Sequence, residues 1–183
     1  MKKILLSIIF ISLSSILYAN ENYDAKLDNL FNQLKSTSSS IDAKEIESKI
    51  WKMWTTHPSE ESLTNLLAKG SYYMSQNQLT SAHNVFSKAI ELDPKWAEAW
   101  NKRATVFYLI GEFKKSQDDI DKVLAIEARH FGALAGQGLV NIQLKNYEKA
   151  ILSYEQAKEI HPSMQSPEIM IRQIEELIKQ QSI

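Results

Sequence analysis

The chain has 183 residues, 44% hydrophobic and 23% charged, which fits one globular domain or at most two and excludes a disordered chain. Its 21 basic and 22 acidic residues give a net charge of -1, so there is no electrostatic footprint for a phosphate backbone and no nucleic-acid partner is expected. Cysteine is absent, which excludes disulfides, thiolate metal sites and a cysteine nucleophile, and 5 Gly with 4 Pro are too few for a turn-dense all-β fold.

Met1-Lys2-Lys3 is a short positive segment, followed by an uncharged apolar run from Ile4 to Leu17. That run has the length of a signal-peptide core and falls short of the ~20 residues of a spanning helix. Polarity returns at Asn20-Glu21-Asn22, and Ala19 suits the last position before cleavage. The pattern predicts a signal peptide over 1–19 and a periplasmic or secreted protein of bacterial type. An uncleaved N-terminal anchor is the alternative, and the leader is the one expected link to a membrane. Either reading places the body of the chain across the membrane from the cytoplasm.

Leu27, Leu30, Phe31 and Leu34 recur at helical spacing and predict an amphipathic helix over 22–35, broken by Ser36-Thr37-Ser38-Ser39-Ser40. Asp42 followed by Glu45 resembles a capping box, and Ile46, Ile50 and Trp54 mark one face of a second helix ending near His57-Pro58. Residues 20–58 are thus expected to form a helical hairpin that closes one end of the remaining chain.

Beyond residue 58 the sequence is repetitive. Gly70 and Gly138, Ala82 and Ala150, Phe86 and Tyr154, Ala89 and Ala157, and Pro94 and Pro162 all share an offset of 68, twice 34. A middle copy falls on the same frame with Trp100, Ala104, Ser116, Ile120, Val123 and Ala128. Small residues at Gly70, Ala104 and Gly138 let paired helices approach, with Ala82, Ser116 and Ala150 facing them. Tyr73, Phe86, Trp100, Phe107 and Tyr154 fill the space between hairpins. Turns are expected at Ser75-Gln76-Asn77, Gly111-Glu112 and Lys145-Asn146, and stops at Asp93-Pro94 and His161-Pro162. No such hairpin buries its apolar face alone, so about three must stack.

At these residues the chain resembles the tetratricopeptide repeat (TPR) family, whose 34-residue motif is W-x2-L-G-x2-Y…A-x3-F…P. The copies are 63–96, 97–130 and 131–164, within a repeat region of 59–164. Departures are Lys69, Arg103 and Gln137 at the usual Leu, Asn141 at the usual Tyr, and Ala128 for the closing Pro. Pro167 then opens a capping helix within 165–183, with Ile171, Ile174 and Ile178 on one side. The expected fold is an all-α TPR solenoid of antiparallel helix hairpins, three repeats, with an N-terminal helix pair and a C-terminal capping helix.

Catalytic chemistry finds no support. His57, His83, His130 and His161 are scattered, and there is no His-Glu-x-x-His run, no Gly-x-Ser-x-Gly and no phosphate-cradling loop. No catalytic residue, metal or cofactor is therefore expected. Asp118, Asp119 and Asp121 form one acidic cluster, which lacks the further oxygen donors calcium requires. Proteins of the resembled family imply instead an ion pair between Arg103 and Asp119.

The same resemblance implies that the first helices line a concave groove for an extended or helical peptide. Carried over position by position, the groove residues are Leu67, Ser71 and Met74 from the first copy. The second supplies Asn101, Lys102, Thr105, Tyr108 and Leu109, and the third Ala135, Leu139, Ile142 and Gln143. A carboxylate clamp needs Lys and Asn where Leu67 and Ser71 stand, so the groove is apolar with a polar middle. Self-packing of Leu67, Leu139 and Ile142 against flanking helices is the competing role. The implied function is that of a monomeric, non-catalytic adaptor or scaffold for a protein or peptide partner. The alternative is a self-associating component of an envelope assembly using end surfaces such as Trp51 and Trp54.

Overall fold

The computed structural model describes residues 22–181, so the expected signal peptide over 1–19 lies outside the described residues. The chain divides into two compact units, Met1–Ser59 and Glu60–Ile183.

In the first unit, helix α1 covers residues 22–36 and α2 runs Ser40–Thr55. The i, i+3, i+4, i+7 stripe of Leu27, Leu30, Phe31 and Leu34 is buried, as are Ala43, Ile46, Ile50 and Trp54 of α2. Phe31 and Trp54 meet at 5.9 Å, and Trp51 stands edge-on to Trp54 at 5.2 Å. The Tyr23 hydroxyl donates to the Met53 carbonyl at 3.0 Å. The cap of α2 differs from the sequence expectation. Ser39 Oγ, not Asp42, is the acceptor, taking the Asp42 N–H at 3.2 Å. Ser39 to Asp42 is itself a Ser-x-x-Asp pattern, so the helix starts three residues earlier. It ends at Thr55, ahead of Pro58, which disfavours helical backbone at His57. Trp54 is 4% exposed, and the Trp51 indole donates to Glu47. Trp54 therefore offers no end surface for self-association.

The second unit is all helix among the described residues: α3 Glu61–Ser75, α4 Leu79–Leu92, α5 Ala97–Leu109, α6 Phe113–Ile126, α7 Phe131–Gln143, α8 Tyr147–Ile160 and α9 Gln165–Gln181. Helices α3/α4, α5/α6 and α7/α8 pack as antiparallel hairpins, and each hairpin packs on the next, α9 completing the row against α8. Three turns at one repeat position reverse the chain. Asn77, Gly111 and Lys145 have φ of 56°, 80° and 58°, the left-handed conformation that ends a helix. In each turn the following N–H reaches back into the helix just ended, as from Gln78 to the Tyr73 carbonyl at 2.8 Å and from Asn146 to that of Asn141 at 2.8 Å. This is a Schellman closure, and the predicted turn segments contain it.

Helix pairs approach where residues are smallest. A Cβ on Gly138 would stand 2.5 Å from the Tyr154 ring, and one on Gly70 would enter the Phe86 ring. In the middle hairpin the same two positions hold Ala104 and Ile120, a larger residue against a smaller one. The core runs through Leu63, Phe86 and Val106, then Ile120, Val123 and Val140, then Tyr154 and Ile174. Ile171 and Ile178 of α9 cover the last cluster, which closes the apolar end of the stack.

Two departures from the repeat motif, Ala128 and Asn141, are satisfied locally. Ala128 replaces the closing proline, yet the connector keeps its shape. Asp93 accepts the Lys95 N–H at 2.8 Å in the first connector, and Glu127 accepts the Arg129 N–H at 3.0 Å in the second. Asn141, buried at the aromatic position, donates to the Gln137 carbonyl and accepts from Asn146.

Candidate functional site

Helix α5 presents Asn101, Thr105 and Tyr108 at i, i+4, i+7, one stripe of one face. Opposite them α7 presents Gly132, Gly136 and Leu139. Between the two lies a cavity of about 80 Å³, floored by Ala104, Ser116 and Ile120. It stays open because α7 lacks side chains there. A Cβ on Gly136 would meet nothing nearer than Ile120 at 3.7 Å, so internal packing leaves room for a larger residue. The rim is polar and neutral: Thr105 Oγ1 donates to the Asn101 carbonyl, and Asn101 Nδ2 donates to Glu98.

The structure gathers four expected groove residues here: Asn101, Thr105, Tyr108 and Leu139. The others stand elsewhere. Leu67 is 2% exposed and belongs to the core cluster of Leu63 and Phe86, on which Met74 also packs. Ser71 spends its hydroxyl on the Leu67 carbonyl at 2.9 Å. Ile142 and Ala135 pack on the cluster that α9 completes, while Gln143 is exposed at the end of α7. Lys102 lies on Glu98, its Nζ 3.1 Å from Oε1. Leu109 is exposed at the end of α5.

Glu98 is the residue that sequence reasoning missed. Its carboxylate and the His130 ring are both fully buried and 3.0 Å apart, tying α5 to the start of α7. The Ala133 N–H donates to His130 Nδ1 at 3.0 Å, which leaves the Nε2 proton facing Glu98. Burial pushes the Glu98 carboxyl up, but His130 and Lys102 outweigh it and hold it below the usual carboxylate range. Glu98 thereby positions both Asn101 and Lys102 from beneath. A glutamate in the first turn ordinarily reads as a solvated partner of the helix dipole, so only its distant pairing with His130 could have marked it. Nearby, burial and the Tyr108 phenol push the Tyr154 hydroxyl up to about 12.

The expected ion pair is present. Arg103 Nε and Nη2 reach Asp119 at 2.7 and 2.8 Å, and Nη1 donates to Ser87 at 3.2 Å. The guanidinium lies over Trp100 at 5.0 Å and Phe107 at 5.6 Å. Asp121 accepts from Gln117, so the acidic cluster is divided between these contacts. Among the described residues no group of three or more His, Asp or Glu could hold a metal. Arg103→Ala strands a nearly buried carboxylate and is expected to cost about 2–3 kcal/mol, more than the ~1 kcal/mol ceiling of a surface pair. A thermal melt within about 1 °C of the parent would overturn that assignment.

Stacked antiparallel helix hairpins of one period define a helical-repeat fold. Family profiles described as TPR repeat and Tetratricopeptide repeat match residues 70–111 and 132–164. A TPR repeat-containing protein of Rhizobium etli is 31% identical over 159 residues, covering 86% of this chain and 77% of that protein. The chain belongs to the tetratricopeptide repeat family. Small glutamine-rich tetratricopeptide repeat-containing protein 2 of Mycosarcoma maydis is 29% identical over 109 residues, 58% of this chain but 31% of that longer protein. Among solved structures, the first TPR of Spaghetti (RPAP3) bound to the HSP90 peptide SRMEEVD matches with a TM-score of 0.62 at 21% identity. That match covers 64% of this chain and 93% of that one, a likeness of fold.

Proposed function

We propose that this protein is an exported, non-catalytic TPR adaptor that holds a peptide or protein partner in the cell envelope through its concave face. One observation carries the reading: Asn101, Thr105, Tyr108 and Leu139 meet around an open cavity that the fold itself does not require. The peptide bound to the structural neighbour supports a peptide as the occupant. The mode of recognition differs from a carboxylate clamp, because Leu67 is buried and the Ser71 hydroxyl is turned to its own helix. The partner is therefore gripped through its main chain and an aliphatic side chain, not through a terminal carboxylate. With Tyr108 and Leu139 as its apolar contacts, the groove is expected to hold a peptide no tighter than about micromolar once the cost of association is subtracted.

The test pairs residues 20–183 with a Tyr108→Ala/Leu139→Asp variant, using a displayed peptide library and envelope extract. Peptides and one protein retained by the parent and lost by a variant of unchanged circular dichroism are expected. Identical retention by both baits would move the site off the groove and favour the assembly reading.

A further inference from the structure

The first unit contains a second cavity, about 580 Å³, between α1 and α2. Its size lies in the ~300–1,000 Å³ range of small-ligand pockets. Leu30, Met53 and Pro58 give it apolar walls, and the Tyr23 hydroxyl bond to the Met53 carbonyl holds the two helices together at its edge.

Charge around it is segregated. Residues 22–59 carry five lysines and five carboxylates. Lys26, Lys49 and Lys52 border the cavity, and among the described residues no carboxylate does. Asp42 and Glu45 line a different hollow with Gln33 and Thr37. Lys49 is occupied by Glu45 at 2.7 Å, whereas Lys26 and Lys52 enter no ion pair among the described residues. Two flexible ammonium groups thus stand over apolar walls with no counter-charge supplied by the described residues of the unit. Lysines without arginine or a backbone nest suit a single carboxylate better than the planar fork a bidentate phosphate contact needs.

We propose that this cavity binds an anionic amphiphile, an aliphatic chain ending in one carboxylate. The chain lies along Leu30, Met53 and Pro58, and the carboxylate sits between Lys26 and Lys52. The site belongs to the first unit and does not depend on how the groove is used.

Isothermal titration of the purified protein with sodium decanoate, and separately with decanol, tests this. Decanoate is expected to bind with a micromolar Kd, and decanol about tenfold or more weaker, since only the acid meets the lysines. Lys26→Gln/Lys52→Gln is expected to weaken decanoate about tenfold without changing the melting temperature, because both side chains are exposed. The exposed pair Lys114→Gln/Lys115→Gln on α6 should bind as the parent does. No heat of binding at millimolar decanoate would overturn the proposal. So would equal affinity for decanol, retention by the Lys26/Lys52 variant, or equal loss in the Lys114/Lys115 variant.

Discussion

His130→Ala is expected to cost about 3 kcal/mol at pH 7. The substitution removes the buried partner of a fully buried carboxylate and leaves it only Lys102 and Asn101, and a buried charge stripped of a partner is what makes such losses large. It also removes the acceptor for the Ala133 N–H at the start of α7, a cap that contributes about 1 kcal/mol.

Acid distinguishes this from simple loss of packing. In the parent, the folded pKa of Glu98 lies below its unfolded value, because His130 and Lys102 outweigh burial. The stabilisation is therefore present above the unfolded pKa and lost as pH falls through the folded one. Without His130, Glu98 loses one of the two groups that hold its carboxyl down against burial, so its pKa moves up from the parent's. The variant's carboxyl then protonates early on acidification, which relieves the buried charge. The stability gap between parent and variant should narrow as pH falls through the carboxylate range. Urea unfolding at pH 7 and pH 4 measures both gaps. Equal gaps would mean that His130 acts by volume alone.

The repeats are legible in the sequence because their chemistry is local and periodic. Gly70, Gly138, Phe86 and Tyr154 recur at fixed spacing, and small opposite large implies two helices in contact whatever the family. Pairing across an interface is a different matter. Glu98 and His130 sit at a helix start and in a connector, positions where charge usually faces water, and only the stack brings them together. The cap of α2 is ambiguous in sequence because Ser39 and Asp42 each stand three residues before an acid, and periodicity cannot choose between them. Repeat position alone puts Leu67 in the groove, yet the first copy turns that position into its own core. The groove's centre is legible where helical spacing aligns Asn101, Thr105 and Tyr108. Its depth is not, since that depends on Gly132 and Gly136 of the next hairpin.

Gly138→Ala is expected to destabilise by about 2 kcal/mol, although alanine favours a helix over glycine by up to about 1 kcal/mol. The added methyl would stand 2.5 and 2.6 Å from ring atoms of Tyr154, and that ring is fully buried with no room to retreat. The middle hairpin shows the remedy, because Ala104 there faces Ile120 where the third has Gly138 facing Tyr154. Tyr154→Ile alone opens a cavity and should also cost about 2 kcal/mol. Combined, the methyl enters the space the ring vacated, so the double variant should be more stable than the sum of the two losses by at least about 1 kcal/mol. A double-mutant cycle by urea unfolding reads this coupling directly. Additive losses would mean that the hairpin opens to admit the methyl, and that close approach at this position is not what requires glycine. A coupling of the expected sign would make the small-against-large pair the unit of repeat design: each hairpin fixes the sum of the two residues and leaves their division free.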